Sequence, residues 1–145
     1  MKKIIICLLI LAALAFTVLF FINKDKKVSV DKSNAQFEWV YESKGERDGI
    51  PQTTISLVAH YTDGTTEKQQ IDDIEGGCNE YSNPDKDVYV GSKMIICYYA
   101  GFGRYYKVVQ SGEAYLVQRK EFEEASPDYN PPVQSFITIK KFYTS

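Results

Sequence analysis

A single histidine, two groups of acids, one Gly-Phe-Gly triplet and the two cysteines that follow the apolar N-terminal run (a third, Cys7, lies within it) are the side chains in this sequence with the types for site chemistry. His60 would serve as a general base if a nucleophile or an orienting carboxylate lay beside it. It falls in the run TTISLVAH, on the face shared by Thr54, Ser56 and Val58, so a surface strand histidine is the simpler expectation. Asp72, Asp73 and Glu75 form one acidic group and Asp85 and Asp87 another. Paired carboxylates can hold calcium or carry out acid–base work. The stretch 85–92 (DKDVYVGS) has Tyr89 and Val90 where a calcium loop needs an oxygen donor and a glycine, so solvated loops are expected. Gly101-Phe102-Gly103 lacks the lysine and spacing of a phosphate loop and reads as a hairpin turn. Cys78, Cys97 and His60 have no metal-ligand spacing. No catalytic residue, metal or cofactor is expected, and the chain reads as a non-enzyme.

Tyrosine is the unusual component. There are 11, with Tyr98-Tyr99 and Tyr105-Tyr106 adjacent. Neighbours on a strand point to opposite faces, so each pair puts one ring on either side of a sheet. One side is core. The other would give an aromatic, hydroxyl-bearing surface suited to a protein or glycan partner. The stiff loop 127–132 (PDYNPP) would present Tyr129 alongside it. The candidate binding surface is thus Tyr98, Tyr99, Tyr105, Tyr106 and Tyr129. The plainer expectation is cross-strand packing in a sheet covered on both faces.

The elements that must position these residues are strands. Residues 36–43 alternate, with Phe37, Trp39 and Tyr41 on one face, and 45–51 break the run. Residues 53–61 form a second strand, Asp63-Gly64 a tight turn, and 65–71 a polar return strand suited to an edge. The span 72–87 is rich in Gly, Asn, Asp and Pro and reads as a loop, and 88–90 as a short strand. The run 93–100 (KMIICYYA) is apolar on both faces and is the expected central strand. Strands at 104–110 and 114–122 follow after short glycine turns, an antiparallel meander. Residues 122–132 carry three prolines and read as one helical turn and then loop; 133–142 is a last strand. The expected fold is a mainly-β domain over 36–145, about seven strands closing into a small barrel or sandwich.

Ahead of it, residues 4–22 (IIICLLILAALAFTVLFFI) are uncharged over 19 positions, with lysines on both sides. A helix of that length is about 28 Å long at about 1.5 Å per residue, close to the hydrocarbon thickness of a bilayer. The expectation is a transmembrane signal-anchor helix with a cytoplasmic n-region at 1–3 and a tether at 23–35. The alternative is a cleaved signal leaving a secreted or periplasmic domain. Against it, the apolar run is long and no small-x-small site follows it. A first helix this near the start, followed by an acidic domain, places the N-terminus in the cytoplasm and the domain outside.

From residue 28 onward there are 12 Lys+Arg against 18 Asp+Glu. That balance argues against nucleic acid and against lying flat on anionic lipid. An even cysteine pair in an exported domain predicts the disulfide Cys78–Cys97, which would contribute on the order of 3 kcal/mol by closing a loop of about 20 residues. The layout looks broadly like that of small periplasmic inhibitors of cell-wall lytic enzymes, a likeness of architecture with no motif behind it. The functional expectation is a membrane-anchored, extracytoplasmic binding module. The alternatives are an inhibitor of a lytic enzyme using acids in 72–87, and a hydrolase using His60 with the loop acids.

Overall fold

Alternating apolar residues give each strand one face that must leave water, and two sheets meet over those faces. The computed structural model describes residues 34–144. The anchor segment 4–22, the n-region and most of the tether lie outside the described residues. The first sheet holds β1 (Gln36–Arg47), β2 (Ile50–His60) and β3 (Thr66–Glu75). The second holds β4 (Gly77–Glu80), β5 (Ile95–Tyr99), β6 (Phe102–Ser111), β7 (Ala114–Glu123) and β8 (Ile137–Tyr143). Every pairing is antiparallel and every neighbour in a sheet is the next strand in sequence, so each sheet is a meander. No helix occurs among the described residues.

The mainly-β, antiparallel character and the disulfide agree with the sequence expectation; several boundaries do not. Residues 45–51 do not break the first strand. They form the tip of a long hairpin around Asp48-Gly49, whose φ values of 56° and 78° are those of a type I′ turn. The expected loop 72–87 contains the end of β3 and all of β4. The expected strand at 88–90 is a turn, with Val90 fully exposed. The run around Cys97 is only five residues of strand and lies second in its sheet, whereas β6, in the middle, has ten residues to pair on both edges. The β5–β6 turn is Ala100-Gly101, and Phe102 and Gly103 already belong to β6. No helical turn starts at Phe122, because β7 runs on to Glu123. The last strand begins at Ile137, with Val133 wholly exposed.

The common core is Phe37, Ile55, Leu57 and Ala59 from the first sheet against Ile95, Tyr106, Val108, Tyr115, Val117 and Phe142 from the second. At the end where the chain enters, Phe37 packs edge-on against Tyr115 (4.9 Å) and Phe142 (5.6 Å). There the Ala35 amide donates to the Tyr115 hydroxyl at 3.2 Å. On the outside of the first sheet, buried Thr54 and Ser56 sit on the middle strand beneath longer side chains from its neighbours. Those side chains are joined as Lys68–Glu42 (2.5 Å) and Lys44–Asp73 (2.8 Å), and their stems cover the hydroxyls.

Gly76 is the corner where the chain leaves one sheet for the other, with φ +98°. Its amide donates to the Pro51 carbonyl at 2.8 Å. One residue beyond Gly77, Cys78 lies directly opposite Cys97 across β4 and β5, and the two are disulfide-bonded. The bond closes the short edge strand onto the sheet just past that corner.

Candidate functional site

Strand pairing puts two ends on this sandwich. Gln36 faces His60 and Ala114 faces Tyr143 at the end where the chain enters. Arg47 faces Ile50 and Tyr99 faces Phe102 at the other. The apolar stripes of β6 and β7 change chemistry on the way there. Tyr106 and Val108 share a face with Arg104; Tyr115 and Val117 share one with Arg119 and Glu121. Each charged residue therefore points between the sheets.

The partner across the gap is Asp72, placed by a β-bulge. Ile55 pairs with Asp72 but Ser56 pairs with Gln70, so Ile71 is an extra residue on β3. The insertion turns Asp72 to the inward face, opposite Ile55. Its Oδ2 accepts from the Tyr106 hydroxyl (2.7 Å), from Arg119 Nη1 (3.0 Å) and from Arg104 Nη1 (3.2 Å). Glu121 Oε1 closes the network from the far side, 3.3 Å from Arg104 Nε and 3.4 Å from Arg119 Nη2. Arg119 Nε is a buried side-chain nitrogen without an acceptor among the described residues. Burial works against the charge on Arg104, but Tyr106, Asp72 and Glu121 more than offset it and keep the guanidinium protonated. Burial, then the hydrogen bond to Asp72 and its negative charge, hold the Tyr106 hydroxyl neutral well above the usual tyrosine range.

Beside this network a cleft of about 670 Å³ opens, within the range of about 300–1,000 Å³ usual for small-ligand sites. Its lining includes Arg104 and Glu121, Gln52, Asp73 and Glu75 on the first sheet, and Tyr99 and Phe102 from the β5–β6 hairpin. Asp73 accepts from Lys44 (2.8 Å) and Thr54 (2.6 Å), which hold its carboxyl below the usual range. Glu75 meets Arg47 at 3.5 Å. Tyr99 and Phe102 are cross-strand partners flanking the turn and are 40% and 60% exposed.

The five tyrosines expected to form one surface are dispersed. Tyr99 lines the cleft, and Tyr98, half exposed, points to the opposite face of β5. Tyr105 lies on the outer face of the second sheet, packed against Tyr81 (5.2 Å) and Phe122 (4.9 Å) beneath the Lys120 ammonium. Tyr106 is wholly buried and belongs to no surface. Tyr129 is half exposed and donates to Glu123 at 3.1 Å. Alternation separated the members of each pair as expected, but the second sheet is covered on both faces at Tyr105-Tyr106, so neither ring is displayed.

His60 contacts Glu38 at 3.1 Å near the chain-entry end. It is five strand residues from the position facing Asp72, roughly 17 Å along β2, and on the opposite face. Asp85 pairs with the buried Lys107 at 3.1 Å. No group of His, Cys, Asp or Glu among the described residues converges as metal ligands would.

Arg104, Arg119, Glu121 and the inward turn of Asp72 were missed by sequence reasoning. The first three carried a signal: each continues, in phase, the apolar stripe of a neighbouring strand. Asp72 carried none, because a bulge has no residue signature in 66–75.

The tyrosines give the domain a pH signature. Burial, followed by the nearby Glu80 charge, pushes Tyr41 up to about 12, and burial with a hydrogen bond to Tyr115 pushes Tyr89 to about 12. Tyr61, Tyr105 and Tyr106 shift the same way, burial leading in each case. A hydroxyl whose pKa is higher folded than unfolded stabilises the fold fully below the unfolded value, near 10, and loses that contribution as pH rises toward the folded one. Alkaline unfolding is therefore expected between about pH 10 and 12. Tyrosinate absorbance should rise in two phases, the later one coinciding with loss of β-sheet circular dichroism. A single smooth titration near pH 10, with the sheet intact, would contradict this.

Compared with protein-family models, with characterised proteins and with solved structures, the chain matches none.

Proposed function

We propose that this chain is a membrane-anchored, non-enzymatic binding module standing outside the cytoplasm, with its ligand taken by the cleft between Tyr99/Phe102 and Asp73/Glu75. The observation that carries it is the position of that cleft. The chain enters the domain at Ala35, and the cleft lies at the far end of the strands. β1 has 12 residues, which at about 3.3 Å each makes a domain about 40 Å tall. A domain tethered through residues 4–22 thus offers the cleft away from the bilayer. The Cys78–Cys97 disulfide supports an oxidising compartment. The net negative charge of the domain supports standing off an anionic surface.

The inhibitor alternative would use free acids in 72–87. Asp72, Asp73 and Asp85 each hold a cation of the chain itself, which favours the cleft instead. The hydrolase alternative has an orienting carboxylate, Glu38, at 3.1 Å from His60, but the pair lies on the outer face of the first sheet, away from the cleft.

Two measurements test the proposal. A reporter active only outside the cytoplasm, fused after Ser145, should be active, and the full chain should stay with membranes after carbonate extraction. Crosslinking in intact cells through a photoreactive group at position 102 should give a specific product that the same group at position 143 does not. An inactive reporter, or identical products from both positions, would refute the reading.

A further inference from the structure

We infer that the ligand of the cleft is an uncharged oligosaccharide; this rests on the binding-module reading and adds its chemical class. The first argument is charge. Three carboxylates, Asp73, Glu75 and Glu121, and one guanidinium, Arg104, line the cleft, and each carboxylate already touches a cation of the chain: Lys44, Arg47, or Arg104 with Arg119. An anionic ligand would meet carboxylates in excess, and a cationic one would have to displace the chain's own cations from them. A neutral ligand with many hydroxyls breaks none. It adds donors to the free lone pairs of the carboxylates and acceptors to the remaining guanidinium and amide hydrogens.

The second argument is the aromatic lip. Tyr99 and Phe102 are fixed opposite one another by a two-residue turn, with Cys97 of the disulfide two residues before Tyr99. Tyr99 and Phe102 stay 40% and 60% exposed at the edge of the cleft. A flat ring beside hydrogen-bonding groups matches a pyranose, which has an apolar C–H face and polar edges. Strand pairing and the disulfide hold the backbone of the lip, which lowers the ordering cost of binding. A folded protein partner would need a broad, complementary surface, and this is a concave site of small-ligand volume.

The test uses the full chain in lipid nanodiscs and isothermal titration with short linear oligomers of N-acetylglucosamine, of glucose and of galactose. At least one series should bind saturably. Tyr99→Ala and Phe102→Ala should each weaken that binding roughly tenfold, a loss of about 1.4 kcal/mol. Tyr143→Ala, at the chain-entry end, should leave it unchanged. Near-ultraviolet circular dichroism confirms that each variant is folded. Failure of all three series to bind the folded wild-type chain overturns the oligosaccharide assignment, as does binding indifferent to both lip variants. If position 102 nevertheless crosslinks a specific protein in cells, the ligand class is wrong and the module reading stands. If the reporter after Ser145 lies inside the cell, the module reading itself fails.

Discussion

Replacing Asp72 with alanine should lower the unfolding free energy by about 3 kcal/mol, the low end of what breaking a buried ion pair costs. The loss has two parts. Three donors, the Tyr106 hydroxyl and the Arg104 and Arg119 guanidinium groups, lose their shared acceptor. Two positive charges between the sheets are then balanced by Glu121 alone. The low end applies because Arg104 keeps a third of its side chain in water, which screens part of the repulsion. Urea denaturation of the full chain in mild detergent, followed by sheet circular dichroism, measures the change. The melting temperature should fall by on the order of 10 °C. Combining Asp72→Leu with Arg104→Met, Arg119→Met and Tyr106→Phe should recover most of the loss, because an apolar set of similar volume needs neither charge compensation nor an acceptor for the buried hydroxyl. Glu121, left without partners, is sufficiently exposed to stay hydrated. A fall below about 1 kcal/mol for the single variant would show that solvent already screens the network.

Gly76→Ala should be at least as damaging, for steric reasons. A Cβ there would lie far inside contact distance of the Tyr98 carbonyl oxygen, and 2.8 Å from both its carbonyl carbon and Tyr99 Cβ. Neither side can yield cheaply. The obstacle is backbone of β5, held by pairing to β6 and by the disulfide one residue away. The φ of +98° adds strain of order 1–3 kcal/mol for any L side chain. Gly45→Ala separates the two contributions. Gly45 has nearly the same φ, +90°, with nothing within 4 Å of its Cβ position. The Gly45 variant should lose only the torsional part and keep its two sheets docked. The Gly76 variant should lose several kcal/mol in all, and binding at the cleft with it, because Tyr99 sits on the strand that must move. Equal stabilities for the two variants would show that the corner is soft and the clash is relieved without cost.

Much of the fold was legible in the residues. Alternation at Phe37/Trp39 and at Ile55/Leu57/Ala59 identified two strands and their buried faces, because a half-buried strand has to repeat every second residue. The glycine turns separated β5, β6 and β7 in order, and a sequential meander needs nothing else. The loop expected at 72–87 illustrates the limit. Its composition is polar because β3 and β4 are edge strands, and an edge strand keeps polar residues even though its backbone is fully paired on one side. The run KMIICYYA shows the converse. Its apolar residues suggested a sheet centre, but Cys97 is held by a disulfide and Tyr98 and Tyr99 remain exposed at a hairpin end.

By itself the sequence determined the strand character of the domain, its acidity and the pairing partner of each domain cysteine, since these depend on local alternation, composition and an even count. Only the tertiary structure decided which charges face inward and where the aromatic rings emerge. Those outcomes depend on one extra residue in β3 and on which strand ends coincide in space. A one-residue shift of register carries a side chain from one face of a sheet to the other while leaving composition and local periodicity almost unchanged.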